Sequence, residues 1–389
     1  MKRYFVCPYC FEESSLSSIQ YRCRNLRCPA QPDEAKGKYY GTAAPMEQCV
    51  FPGAGRVSDR ADCPRCGEKT NLRLCPSCHN TLPSTIVSDR EKIISLIGTR
   101  DAGKSIFVTV LIHEFLKHIA PSINASLNFL TQDDKEQYNK RFADFVYKRH
   151  TRIPQTTTTF ALSGVIGANR PILTKLKREY KKVFSSKTEE FTLVFFDAAG
   201  EDFENEDVMF YVSKYIAHSD GIIFLIDPFS NKAVRGNLPD DVVQGASTIE
   251  ADSVSSPKEV IERVANIVRL NSNTKGKIKI PVAAAFSKLD AFEILLDNGA
   301  ALRRPSPHLG AGEFIKHDGL TVDQEIRGLL AHWGEQDFLK SLALNYENAQ
   351  LFAFSALGSN PRPDGSIDEP LPVRIEDALL WMLTELNLL

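Results

Sequence analysis

Lys92-Ile93-Ile94-Ser95-Leu96-Ile97 leads straight into Gly98-Thr99-Arg100-Asp101-Ala102-Gly103-Lys104-Ser105, and this stretch decides the fold. The mainly apolar start reads as a buried strand, and the segment from 104 to about 120 reads as a helix. Between them the spacing G-x-x-x-x-G-K-S wraps consecutive backbone N–H groups around a phosphate and turns a helix N-terminus toward its charge. Gly98 and Gly103 let the backbone come close. Lys104 would reach the β- and γ-phosphates, and the Ser105 hydroxyl would ligate Mg²⁺. Asp101, Ala102 and Ile106 belong to the same candidate nucleotide-binding stretch. A chance glycine-rich turn is the plainer alternative; the strand before it and the helix after it argue against that.

Downstream, apolar strands alternate with helix-period segments, the texture of a parallel α/β sheet. Strands are expected at 92–97, 157–166, 191–196, 221–226, 280–286 and 350–354. Helices are expected at 104–120, 133–150, 207–218, 257–270, within 321–345 and at 374–388. Residues 173–184 are ambiguous between the two, and 231–256 read as a polar, mobile loop.

Two of these strands end in residues with chemistry. Phe191 to Phe196 runs into Asp197-Ala198-Ala199-Gly200-Glu201. An Asp leaving a buried strand beside a phosphate loop is placed to hold Mg²⁺ through its water shell. Gly200 would supply a backbone N–H where a side chain would collide with the γ-phosphate. After the strand at 280–286 comes Ser287-Lys288-Leu289-Asp290. The Asp290 carboxylate can accept both the N1–H and the 2-amino N–H of guanine, whereas adenine presents an acceptor there. The stem of Lys288 could cover the base. Ser355-Ala356, after the last strand, could offer a backbone N–H to guanine O6. Singly, each tetrapeptide is also what a solvated strand end looks like; their order and placement favour guanine.

Together these segments resemble the ordered motifs of Ras-like (translation-factor-related) P-loop GTPases over residues 91–389, and with the cysteine-rich front the chain is similar to bacterial GTPases of the double-GTPase kind. The resemblance implies a mostly parallel six-stranded sheet with helices on both faces, GTP or GDP with Mg²⁺ at the strand carboxyl ends, and Lys104, Thr157, Gly200 and Glu201 as catalytic candidates. Ser105, Asp197 and Thr157 would hold the Mg²⁺. Thr156 or Thr157, within Pro154-Gln155-Thr156-Thr157-Thr158-Thr159, would complete the metal shell; a β-branched edge strand is the alternative. The chain departs from the family in three places. Ser287 stands where Asn or Thr is usual. Glu201 replaces a water-positioning Gln, which implies slow or assisted turnover. Ser105 and Asp197 are unusually far apart, implying an insertion around 121–155. Within the loop, Asp101 could help hold a monovalent cation and Arg100 could act as an internal positive finger; the plainer reading turns both to solvent.

All nine cysteines precede residue 79. Short-spaced pairs without secretory context read as metal ligands rather than disulfides. Cys63-x2-Cys66 with Cys75-x2-Cys78 has zinc-ribbon spacing, and Cys7-x2-Cys10 with Cys23-x4-Cys28 would make a second zinc site; crossed pairing stays open. Cys49 and His79 are left over. Residues 1–85 are therefore expected to be a small zinc-binding domain joined by a linker to the α/β domain.

The formal net charge of −2 excludes a strongly basic nucleic-acid binder. Residues 1–90 hold 13 basic and 9 acidic side chains, a formal +4 that two tetrathiolate zinc sites would cancel. No apolar run is long enough for a signal peptide or a membrane span. The expectation is a cytoplasmic GTP-hydrolysing switch acting through a partner protein. A GTP-bound scaffold with negligible hydrolysis, or a P-loop ATPase with a nucleic-acid-binding zinc ribbon, are the alternatives.

Overall fold

The apolar run ahead of the phosphate loop forms strand β1 (Glu91–Gly98), and the rest of the sheet is built around it. A computed structural model describes residues 4–53, 58–87, 91–99, 101–154, 170–182, 185–197, 213–240, 242–243, 256–272, 275–362 and 364–389. The other strands are β2 (Ala125–Phe129), β3 (Ile172–Lys182), β4 (Ser185–Asp197), β5 (Gly221–Ile226), β6 (Val282–Phe286) and β7 (Ala349–Ala353). Their order is β2-β3-β4-β1-β5-β6-β7. From β4 to β7 every pairing is parallel, while β2 and β3 add an antiparallel edge. Every residue of β5 and β6 is buried, as befits parallel strands covered on both faces.

Helix α1 (Lys104–Glu114) continues through a π-helical stretch to Ser122. Helix α2 (Gln132–Tyr138), which continues to Tyr147, starts at a capping box between Thr131 and Asp134. These two and α6 (Asp377–Glu385) share one apolar cluster with one face of the sheet. Helices α3 (Pro257–Ser272), α4 (Lys316–His332) and α5 (Gln336–Asn345) belong to a second cluster on the other face.

Among the described residues the sheet has seven strands rather than six. Ile172–Lys182 is a strand although Leu173, Leu176 and Tyr180 repeat at helix-like intervals, because eleven residue pairs bind it to β4. Ala125–Phe129 alternates exposed positions with half-buried ones and the buried Leu127 over five residues only, a weak signal within the expected insertion. That segment is thus partly built into the sheet edge. The expected strand at 157–166 lies outside the described residues. Part of the expected polar loop is ordered: Asn231 caps the short helix Lys232–Gly236.

The cysteine-rich segment forms short antiparallel pairs, including the three-stranded set Val50–Pro52, Gln20–Arg22 and Arg73–Leu74, with a helix at Glu34–Tyr40. Its buried residues join the same cluster as Ile93, Leu173, Val194, Phe196 and Tyr215. Polar contacts fasten it as well. Thr85 Oγ1 lies 2.9 Å from Thr192 Oγ1. Arg170, buried, donates to Tyr40 Oη, Asp133 and Asp134, and Tyr9 Oη donates to Asp134. Among the described residues no helix is long and apolar enough to cross a membrane.

Candidate functional site

The phosphate loop connects the end of β1 to the start of α1 as its spacing demands. Gly98 has no room for a side chain, because a Cβ there would collide with the Leu225 carbonyl of β5. Gly103 caps α1 at φ 71°, a left-handed conformation suited to glycine. Lys104 is buried, and its Nζ donates to the carbonyls of Gly98 (3.2 Å) and Thr99 (3.0 Å), so the loop's own oxygens hold the cation in place. Ala102 is fully buried, and Ser105 opens the helix beside Lys104.

A network of contacts ties this loop to the base-recognition candidates. The Thr99 hydroxyl accepts from the Asp227 backbone N–H at 3.1 Å. The Asp227 carboxylate, at the carboxyl end of β5, accepts from Phe229 N (3.0 Å) and from Lys288 Nζ (3.1 Å). Lys288 Nζ also lies 3.5 Å from Asp101. Lys288 takes a left-handed backbone at φ 58°. Leu289 N donates to Phe354 O at 3.0 Å, bringing the turns after β6 and β7 together. The Ser355 hydroxyl accepts from Gly358 N at 2.8 Å within the second turn. Burial raises the Asp227 and Asp290 carboxyls above their ordinary range; Lys288 pulls the first partly back, and Ser355 the second.

Two expectations need correction. Asp101 does not turn to solvent; its side chain is half-buried and paired with Lys288. The Ser355 N–H cannot serve guanine O6, because it donates to Val373 O at 3.0 Å. That leaves Ala356 as the backbone donor of this turn. Asp227 was not singled out from sequence, although it carries the same signal as Asp197: an acidic residue leaving a buried apolar strand. Asp197 closes β4 opposite Leu96 of β1. Arg100, Thr156, Thr157, Thr158, Thr159, Gly200 and Glu201 lie outside the described residues.

The cysteines form two groups, nested rather than sequential. Cys7, Cys10, Cys75 and Cys78, all buried, make the inner site, and the sequence they enclose carries the outer one, Cys23, Cys28, Cys63 and the exposed Cys66, with the sulfurs of each set within 4.8 Å of one another. The sequential pairing of 63/66 with 75/78 is overturned: Thr70, on the hairpin that carries 63/66, donates to Arg22 O beside Cys23, whereas Leu74, just before Cys75, pairs with Gln20 at the other end of that strand. Sulfur separations of 3.8 Å (Cys7–Cys78, Cys10–Cys75), 3.5 Å (Cys23–Cys66) and 4.0 Å (Cys28–Cys63) fit zinc. A regular tetrahedron at the zinc–thiolate distance of about 2.3 Å has edges of about 3.8 Å. Backbone N–H groups of Tyr9, Ser77 and Asn25 point at Cys7, Cys75 and Cys23 sulfurs, the outer-shell bonds a thiolate knuckle needs. Cys49 is buried outside both sets, and His79 Nδ1 pairs with Asp33 at 2.6 Å instead of joining one. A third group, His308, Asp318 and Asp377, already encloses a cation: Arg374 Nη1 lies 2.9 Å from Asp318 and 2.7 Å from Asp377.

No family model matches the chain. A curated relative, SaeC of Mycolicibacterium smegmatis, is 25% identical over 415 residues, which cover 98% of this chain and 99% of that protein. Its name proposes it as an ESX-1 scaffolding and assembly protein. Among solved structures, the GTP-bound Ski7 GTPase-like domain of S. cerevisiae overlaps 76% of this chain at 14% identity and a TM-score of 0.32. The structure of Sup35 complexed with GDP overlaps 71% at 10% identity and a TM-score of 0.25. The chain spans 50% and 40% of those two chains. These overlaps are too low to carry fold or function across.

Proposed function

We propose that this chain is a Mg²⁺-dependent GTP-binding switch of the P-loop class, turning GTP over slowly or with a partner's help, with zinc in both four-cysteine sites. In this reading residues 1–85 are the zinc module, 91–389 the GTPase domain, and the protein acts in the cytoplasm on protein partners. The observation that carries it is the contact chain from the phosphate loop through Asp227 and Lys288 to the adjoining turns that carry Asp290 and Ser355. A nucleotide lying along that chain would meet Lys104 and Ser105 at its phosphates and Lys288, Asp290 and Ala356 at its base. Asp197 and Thr157 would complete the Mg²⁺ shell, and Gly200 and Glu201 would face the γ-phosphate; these roles rest on sequence order. Each charged hydrogen bond from guanine to Asp290 would be worth about 1.5–3 kcal/mol.

A second reading has two supports. Glu201 is a poor water-positioning residue, since a carboxylate is repelled by a triphosphate, and the relative's name speaks of scaffolding and assembly. In that reading the GTP-bound chain is itself the scaffold and hydrolysis is negligible. Single-turnover GTP hydrolysis separates the two.

The deciding experiment is calorimetry with GTP, ATP and XTP on the wild type and on Asp290→Asn. GTP-selective binding that shifts toward XTP in the variant supports guanine recognition. Tight ATP binding, or no change in the variant, refutes it.

A further inference from the structure

We propose that the inner four-cysteine site (Cys7, Cys10, Cys75 and Cys78) is an allosteric metal site for the nucleotide, coupled to it through Phe11, Tyr215 and Phe196. The inference rests on the nucleotide reading above and adds a role for one of the two metals.

The route begins at an unexpected side chain. In the Cys63–Cys66 knuckle the residue after the second cysteine is Gly67, at φ 71°, whose N–H donates to Cys63 O at 2.8 Å. The Cys7–Cys10 knuckle closes in the same way, with the N–H of the next residue donating to Cys7 O at 2.9 Å, but that residue is Phe11, at φ 55°. A left-handed backbone disfavours phenylalanine, whose Cβ crowds the following carbonyl oxygen. The other knuckle of this site also ends on a left-handed side chain, His79 at φ 52°, which pairs with Asp33, so each such side chain here has a contact to make.

Phe11 turns its ring into the α/β core. It meets Phe196 edge-on at 5.6 Å and Tyr215 at 5.0 Å, and those two rings are 4.5 Å apart. All three are buried. The Tyr215 hydroxyl sits between the two strands that matter most to the phosphates. It accepts from Leu96 N of β1 at 3.0 Å and lies within donating distance of Ile94 O (3.0 Å) and Phe196 O of β4 (3.1 Å). Leu96 is two residues before Gly98, and Phe196 immediately precedes Asp197. The next residue of the knuckle, Glu12, accepts from Lys214 at 2.5 Å, and its carbonyl accepts from Cys7 N at 3.0 Å. The knuckle therefore grips residues 196, 214 and 215, which flank Gly200 and Glu201 in sequence.

A metal in the inner site stiffens the knuckle that carries Phe11. Any shift of β1 against β4 when a nucleotide binds must move the Tyr215 hydroxyl and hence that ring. Coupling of this kind is reciprocal: the factor by which metal alters nucleotide affinity equals the factor by which nucleotide alters metal affinity. The outer site supplies an internal control, because its flanking arginines, Arg24 and Arg65, bond to Asn71 and Gln31 instead.

The test uses the full chain loaded with two zinc ions. Zinc release to a chromogenic chelator is timed with and without a fluorescent guanine nucleotide, whose occupancy is read in the same sample. One of the two zinc ions is expected to leave about fivefold or more differently once nucleotide is bound, the lower end of ordinary allosteric coupling. Phe11→Gly relieves the backbone and deletes the ring, so it should keep both metals and the nucleotide while reducing the difference to less than about twofold. Should Phe11→Gly lose its metal, Tyr215→Phe is used instead: it keeps the ring stack, removes the hydroxyl bridge and is expected to shrink the difference likewise. Bound nucleotide with unchanged release of both ions overturns the coupling alone. A difference that survives both substitutions overturns it too. If no guanine nucleotide binds, the functional reading fails and the inference falls with it.

Discussion

Asp227 holds the ammonium of Lys288 at 3.1 Å while almost wholly buried, so it decides where that side chain can stand. Asp227→Asn keeps the shape and removes the charge. It should lower guanine-nucleotide affinity by about tenfold and stability by about 1–3 kcal/mol, because the partly buried Lys288 ammonium then keeps only the Asp101 carboxylate, at 3.5 Å. Calorimetry and urea denaturation measure the two; unchanged affinity would show that Lys288 is not held for the base. Asp290 predicts a pH dependence. Burial raises its carboxyl above the ordinary value of 3.8, and guanine needs the ionised form as a double acceptor. Affinity should be full above the raised value and fall as pH descends through it, beginning at higher pH than for an exposed aspartate. The free protein responds in the opposite sense. For stability, the contribution of this group is fully present below the unfolded value and is lost as pH rises through the folded one. A nucleotide titration across acidic pH, repeated on Asp290→Asn, checks the assignment, since the variant should lose that slope.

At the scale of elements, the phosphate loop and the base turn are each held by a neighbour remote in sequence. Gly98 abuts the Leu225 carbonyl of β5, so Gly98→Ala must push β1 from β5. Nucleotide binding should drop by more than tenfold, with a stability loss of about 1–3 kcal/mol typical of overpacking; an alanine variant that binds normally would refute the close approach. The base turn leans on Val373, which exchanges both backbone hydrogen bonds with Ser355. Arg374, the next residue, is buried between Asp318 and Asp377 and donates to the carbonyls of Ala301 and Arg304. Arg374→Met leaves two carboxylates without their cation, a defect of about 3–5 kcal/mol. Its thermal midpoint should fall steeply, and base affinity should weaken in whatever fraction stays folded.

Over the whole molecule, the cysteine-rich segment has two four-cysteine sets suited to zinc and a buried face packed on the α/β sheet. Stripping zinc with a strong chelator at neutral pH should expose the eight clustered thiols to a thiol reagent and lower the melting temperature, because metal binding there supplies folding energy. Eight thiols reacting equally fast with and without chelator would argue against bound zinc. Most of the sheet was legible from the chain: long buried strands such as Gly221–Ile226 are continuous apolar runs, and the loop between β1 and α1 follows from its glycines and lysine. The antiparallel edge was not, since Leu173, Leu176 and Tyr180 suit a helix as well as a strand until β4 supplies partners. Asp290 and Lys288 could be named from sequence order; Asp227, which holds Lys288, could not be told from any other acidic strand end.

By itself the sequence determined what local chemistry determines: strand, loop and helix around Lys104, the tetrapeptides after β6 and β7, and cysteines spaced as pairs. Tertiary structure alone decided which pairs share a site, which carboxylate holds Lys288, and that Phe11 of a metal knuckle reaches Tyr215. The physical reason is the range of the forces. Periodicity, turn preference and ligand spacing act over a few residues, whereas the nesting of the four cysteine pairs and the pairing of Asp227 with Lys288 depend on segments 35 or more residues apart meeting in one packed core.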